Sequence, residues 1–505
     1  SKAFNGGLNS TAGPFGLGDN ESSDLQNIDF DKFGSILKRN GYVVLTTATS
    51  LTTGTTYGLQ WYEYDNAGTT TRETIKVTIS SGTNCWLQRM DALDGTWDDI
   101  TQGMTLTNYQ CTFTNFLNRV HITNENDLPF MYNGATTTTS LMTVPTGLTK
   151  AQFNEEFNNY LFIANVTVSG TKHGSRFYWY NLKSDSTITN TDFIEVAKDD
   201  GTQIRGIKKL GDRLVVFKDR SIYNVFFTGD ADIPFILPGG GKSNSAVGCV
   251  APYSIQEVEN GLVFLSYDGL YYYDGMNSYK ISDKINTTLL TDMNQSRFSQ
   301  TTSSVYKKKN RYFLSIPFGT GTTNDRTIVW DYFNNAFSIY KGLNAASLAI
   351  FYVSGVDERL YFSDYLGYVY RADNGTDDYP SNTQTAIEAY YWTNWRAYDD
   401  LVDQKGVPHV YIYYTLNNSV LTFSYSYDFE SSAQYSQTFS MNTSTSVYGT
   451  GLYGTATYAG VGGSPIRRDL TGRGRVVRFR FSNNTLAETF RIDGLGTLAH
   501  LETNK

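Results

Sequence analysis

Short runs in which every second residue is apolar recur along most of the chain, broken by Gly, Asn, Asp and Ser. Alternation over four to eight residues marks half-buried strands. Three runs superpose without gaps: 214–223 (LVVFKDRSIY), 262–271 (LVFLSYDGLY) and 360–369 (LYFSDYLGYV). Each reads as a β-hairpin. Four residues form the first strand, the turn falls near the seventh and eighth, where Asp268-Gly269 is a primed-turn dipeptide, and an aromatic or β-branched strand resumes. The same opening recurs at 160–163 (YLFI) and 312–315 (YFLS), so that from Leu161 the starts step by about 53, 48, 50 and 48 residues. Two weaker candidates lie upstream, near Leu59 and near Val120.

A unit of roughly 50 residues that starts with a hairpin is the size of a four-stranded propeller blade. The fold class is therefore all-β, a β-propeller of six to eight blades with seven favoured, spanning 34–383. Residues 1–33 are rich in Gly, Asn and Ser and read as an extended N-terminal arm that has no core of its own and orders only on a partner. From about Gln384 the hairpin signature gives way to longer alternating strands such as 409–414 (HVYIYY), 420–425 (VLTFSY) and 476–481 (VVRFRF). These predict a separate C-terminal antiparallel β-sandwich over 384–505. The polar stretch 372–380, with both Gly and Pro, marks the break.

Composition supports strands over helices. Tyr (38), Phe (30) and Gly (45) are abundant, and no window combines helix formers with 3.6-residue periodicity. A net charge of -8 argues against a protein that grips nucleic acid by global electrostatics and leaves transient or sliding contact with DNA. Three cysteines, Cys85, Cys111 and Cys249, have no metal-type spacing and are too few for a disulfide framework, which suits synthesis in a reducing compartment. No secretory signal and no run of 18 apolar residues is expected in such a chain, and none is read.

Candidate chemistry is thin. The histidines His121, His173, His409 and His500 form no HExxH pair and there is no GxSxG elbow, so each reads as a surface or strand-face residue. Residues 239–243 (GGGKS) superficially resemble a phosphate loop, but Ile236 stands where that motif wants Gly and no helix start follows, which makes this an inter-blade loop. The acidic turn 91–99, with Asp94-Gly95, is read as a tight turn, with calcium as the lesser alternative. No cofactor or metal site and no enzyme activity is expected. One charge cluster stands out: Arg467, Arg468, Arg473, Arg475, Arg478 and Arg480. In the strand 476–481, Arg478 and Arg480 share one face while Val477, Phe479 and Phe481 share the other. A solvated sheet face is the default; a salt-bridged contact with a neighbouring subunit and phosphate contact with passing DNA are the functional alternatives.

The segment 24–42 (DLQNIDFDKFGSILKRNGY), preceded by 5–9 (NGGLN), resembles the opening of tailed-bacteriophage tail proteins. Those chains begin with a Gly-Gly-Leu arm, then an Asn-Val/Ile-Asp stretch, then Gly, Leu and Arg-x-Gly in close succession. The matching residues are Asn27, Gly34, Leu37, Arg39 and Gly41. The family it resembles is the short-tail hub or nozzle group, also called tail tubular or packaged-DNA stabilisation proteins. The C-terminal 490–495 (FRIDGL) supports it loosely.

The resemblance implies a structural virion protein of a phage tail, made in the host cytoplasm. A homo-oligomeric ring, six copies being expected, would sit beneath portal and adaptor. It would retain the packaged DNA in its lumen until ejection and anchor fibres or spikes. The alternative from another class is a receptor- or carbohydrate-binding propeller of a tail fibre, or a glycan-cleaving enzyme, for which Tyr and Trp would stack on sugar rings.

Overall fold

The computed structural model of the chain describes residues 3–45, 54–91, 96–101, 104–134, 139–398, 401–441 and 465–501. Among them strands dominate, and the α-helix is confined to Asn286–Asp292. Seven antiparallel sheets follow one another, each of four strands apart from a short extra strand, Asp98–Asp99, in the first. Their first strands are Thr56–Asn66, Thr112–Phe116, Leu148–Phe157, Ile204–Leu210, Gln256–Val258, Thr302–Tyr306 and Ser347–Val353. These stand side by side around an axis, and the seventh packs back onto the first. The chain therefore contains a seven-bladed propeller.

The second strand of each blade explains the apolar runs. Successive side chains point to opposite faces of a strand, and a blade packs a neighbour on both faces, so consecutive positions are buried along most of the strand. Leu161 and Ile163 pack towards the second blade, while Phe162 and Ala164 pack towards the fourth. Leu262 and Phe264 meet Phe217 of the fourth blade, while Val263 and Leu265 join the core shared with the sixth. Each such side chain contributes roughly 1.5–3 kcal/mol by leaving water. The hairpin openings at Leu161, Leu214, Leu262, Phe313 and Leu360 are all second strands, and Val120 lies in the second strand Arg119–Thr123.

Leu59 is a correction. It lies in a first strand, because the second strand of that blade, Thr69–Ser81, alternates Thr and Lys with apolar residues and shows no apolar run. In the fifth blade the turn residues are Tyr267 and Asp268, one position earlier than read, since Ser266 pairs with Gly269.

The ring closes with a strand from the other end of the chain. The seventh blade has three consecutive strands, and its fourth is Tyr42–Val44, pairing Tyr42 with Ala372 and Val44 with Tyr370.

The rest of the chain forms a β-sandwich body. One sheet runs Gly7–Leu8, Glu21–Gln26, Ala389–Thr393, Val477–Asn483, Val420–Tyr427 and Tyr435–Ser440. The other contains Ile28–Phe30, Ile36–Lys38, Arg491–Leu501, Lys405–Tyr414 and Ile466–Asp469, with Arg473–Gly474 beside Lys405–Tyr414. Phe423, Phe479 and Phe481 from the first meet Val410, Ile412 and Ile492 from the second, and this core continues into the sixth blade through Leu314, Trp330 and Phe337 and into the fifth through Val263 and Leu265.

The expected arm is thus different in kind. Residues 3–33 are strands and turns of the body, and Ile36–Lys38, expected to open the propeller, belongs there too. Phe4, Leu8, Leu25, Ile28 and Phe30 are too sparse to build a core alone but fill one supplied by the chain's own C-terminal third. The partner such a segment needs is intramolecular.

Candidate functional site

Three places draw the chain's polar chemistry inward: the joint between body and propeller, an arginine–aromatic face on the body, and the propeller axis.

The joint is built from residues of the N-terminal motif. Asn27 adopts a left-handed φ of 57° and is 2 % exposed. Its backbone N–H donates to Ile339 O, its Nδ2 to Glu388 O, and its Oδ1 accepts from Arg39 Nε and Lys341 N. Arg39 is buried and grips Asp378 with two bonds of 2.8 and 2.6 Å. Its other N–H groups reach Asn40 O and Lys341 O, so all five donors of the guanidinium are used. Gly41 passes so close to the backbone of Asp377 that a Cβ would lie 1.8 Å from its carbonyl oxygen. Gly34 turns at a φ of 91° against Ala3.

A second buried ion pair adjoins. Arg311 Nη1 stands 2.8 Å from Asp29 Oδ2, and Tyr340 Oη also donates to Asp29. Burial pushes the Asp29 carboxyl up, but Arg311 and Lys309 outweigh it and hold it below its ordinary value. The polar stretch read as a domain break supplies Asp377 and Asp378, and it works as part of the fastening.

The six candidate arginines do not form one patch. Arg467 is exposed, pairing with Asp469 and lying within hydrogen-bonding reach of His409. Arg468 covers the Phe439 ring at 4.2 Å. Arg473 lies in a short strand opposite Gly406, and Arg475 donates to Val402 O. Arg478 and Arg480 stand on the outer face of the first body sheet, while Val477, Phe479 and Phe481 fill the core. The alternation is as read, but this part of the face is not solvated. Arg478 is 8 % exposed, lies 4.0 Å from the Trp392 ring and 4.6 Å from the Trp395 ring, and donates to Glu430 O and Ser431 O. Arg480 lies over Tyr390 at 4.6 Å. Burial pulls the Arg478 guanidinium below its usual value, with Asp24 opposing. Neither Arg478 nor Arg480 forms an ion pair among the described residues, and the Nε of each is buried without a partner there. The face thus offers guanidinium charge that aromatic rings and carbonyls solvate, with the Asp24 carboxylate near enough to act on both arginines but no ion pair formed among the described residues.

The axis is interrupted by Tyr253, in the turn Pro252–Ser254 between the fourth and fifth blades. Its hydroxyl donates to Gln110 O, 2.9 Å away in the connection between the first and second blades, and Ser303 Oγ donates to Tyr253 O at 2.7 Å. Tyr253, Pro252 and Gln110 separate two cavities of about 390 and 420 Å³. Tyr253→Phe is expected to lower stability by about 1 kcal/mol through loss of this strut bond, checked by chemical denaturation.

The remaining candidates have local roles. His121 is buried against Asp185 at 3.1 Å, beside Arg119. Residues 239–243 lie in an inter-blade turn with Gly239, Gly240 and Gly241 all left-handed, and no helix follows. Asp94 and Gly95 lie outside the described residues, while Asp91 and Asp98 are answered by Arg89 at 3.1 and 3.5 Å. Among the described residues no group of His, Cys, Asp and Glu is placed to hold a metal, and no helix is long and apolar enough to cross a membrane.

Residues 87–332, from the third strand of the first blade to the sixth blade, match the family described as Bacteriophage P22 Gp10, beta-propeller. The match lies wholly within the propeller, outside the motif 24–42, so two separate stretches of the chain resemble phage structural proteins. The resemblance read from the N-terminal motif is met by this match, which points to a bacteriophage structural protein built on a propeller. No curated protein matches the chain. Among solved structures, YCF48 bound to D1 peptide is similar at 11 % identity and a TM-score of 0.38, over 68 % of this chain and 97 % of that one. The computationally designed Ika8 protein is similar at 12 % identity and a TM-score of 0.35, over 64 % and 99 %.

Proposed function

We propose that the protein is a subunit of the hub or nozzle ring of a phage tail, a non-enzymatic part of the DNA conduit that retains the packaged genome and anchors fibres or spikes. The observation that carries this reading is the match of residues 87–332 to the phage P22 Gp10 propeller family. The joint at Asn27, Arg39 and Asp378 supports it. A propeller fastened to a body through buried ion pairs transmits force without needing a mobile linker. The net charge of -8 suits a conduit, because a strongly basic lumen would bind phosphates and slow DNA passage.

In this reading the body forms the ring wall. Arg478 and Arg480, which form no ion pair among the described residues, meet acidic side chains of the neighbouring subunit, a heterologous contact that closes into a six-fold ring where the rotation fits. Portal, adaptor and fibre proteins are the further partners, and genomic DNA passes transiently. The duplex runs through the ring lumen, since the propeller axis is blocked by Tyr253.

Light scattering and negative-stain microscopy of the purified chain test it. Rings of several copies with an open centre are expected, and Arg480→Glu is expected to return them to monomers. A wild-type chain that stays monomeric and joins no virion complex sinks the reading.

A further inference from the structure

A cavity of about 420 Å³ lies on one side of Tyr253. Tyr57, Tyr109 and Tyr365 line it together with the amides Asn108, Gln152 and Gln300. Its two charged side chains are already answered: Arg205 by Asp219 at 2.7 Å and Glu125 by Lys172 at 3.1 Å. What remains for a ligand is phenol rings, amides and hydroxyls.

The cavity also continues sideways. A second lobe of about 470 Å³ shares Arg205, Pro252 and Ser299 with it, and is lined by Tyr267 and Phe298, whose rings meet edge to face at 6.3 Å. Tyr267 is half exposed. Together the lobes make an elongated groove with aromatic rings along its length, in the size range of pre-formed ligand sites.

We propose that this end of the propeller axis binds a neutral oligosaccharide. The apolar faces of sugar rings lie on the tyrosines and Phe298, and sugar hydroxyls bond to the lining amides of Asn108, Gln152 and Gln300. Among the described lining residues the one cation, Arg205, is paired, which leaves nothing to answer an acidic glycan. A peptide would bring backbone N–H and C=O groups in a strand-like row, whereas the described lining residues offer phenol rings, amides and hydroxyls.

The test is saturation-transfer-difference NMR on the intact chain with maltohexaose, chitohexaose and mannohexaose as neutral probes, and a polygalacturonate hexamer and a Gly-Ser hexapeptide as contrasts. Transfer to the ring protons of at least one neutral probe is expected, falling at least fivefold in Tyr109→Ala and in Gln300→Ala. Tyr109 is 41 % exposed and the Gln300 side-chain oxygen has no partner, so both variants are expected to melt with the wild type. Absence of transfer to every neutral probe, transfer only to the acidic or peptide probe, or a signal that survives both substitutions overturns the inference. A chain that forms rings and takes no sugar overturns it while leaving the tail reading intact.

Discussion

Arg39→Ala is expected to destabilise the folded protein by about 3–5 kcal/mol, because it leaves the Asp378 carboxylate buried without its hydrogen-bonded ion-pair partner. Asp378 is 6 % exposed and takes both of its short bonds from Arg39. The same substitution removes donors from Asn27 Oδ1 and Lys341 O, so the N-terminal segment, the sixth blade and the chain leaving the propeller lose their common partner. Adding Asp378→Asn to Arg39→Ala is expected to recover part of the loss, since the buried charge goes with it. Chemical denaturation of the two variants beside the wild type checks this. Arg39→Ala with a midpoint equal to wild type would show that the hydrophobic core shared by body and propeller is sufficient, and that the ion pair is incidental.

The second large effect is a dependence on pH at the seam where the propeller closes. Lys76, in the second strand of the first blade, is fully buried. Its Nζ lies 3.8 Å from the centre of the Trp97 ring and donates to Gly367 O of the seventh blade at 2.9 Å. Burial lowers its pKa to about 7, with Asp364 opposing. At pH values below about 7 both folded and unfolded chains hold the proton, and the folded state carries the whole cost of the buried ammonium. Between there and the ordinary lysine value the unfolded chain holds a proton that the folded one has released, so stability rises with pH. The stability of the wild type relative to Lys76→Met is therefore expected to increase by on the order of 4 kcal/mol from pH 6 to pH 10.5. Using the difference between the two chains cancels every other titrating group. A gap that stays constant with pH would mean that Lys76 keeps its ordinary proton affinity.

The propeller was legible where burial is two-sided. Arg311–Ile316 and Gly261–Ser266 are buried at every position and appear in the sequence as apolar tetrads. Thr69–Ser81 does the same job with threonines and a lysine, and so escaped notice. Alternation placed Arg478 and Arg480 on the outer face of their strand, but Trp392 and Trp395 come from a segment more than 80 residues earlier, which no local pattern announces. The N-terminal motif flagged Asn27, Arg39 and Gly41, yet Asp378 lies 339 positions from Arg39, so their purpose as a joint was invisible. The segment around Phe4 and Leu8 was read as awaiting another protein, and it fills a core of its own chain. Composition reports a missing core and is silent on who supplies it. Tyr253 sits in a turn between blades, outside any periodicity, so the division of the axis had no sequence signal.

The central claim, a ring-forming part of the tail conduit, is tested most directly by cryo-electron microscopy of the intact virion with this chain fitted to the density. The account predicts several copies around the tail axis, the body in the ring wall and Arg478 and Arg480 against the neighbouring copy. A chain absent from the particle, or present only at the tip of a fibre, would contradict it.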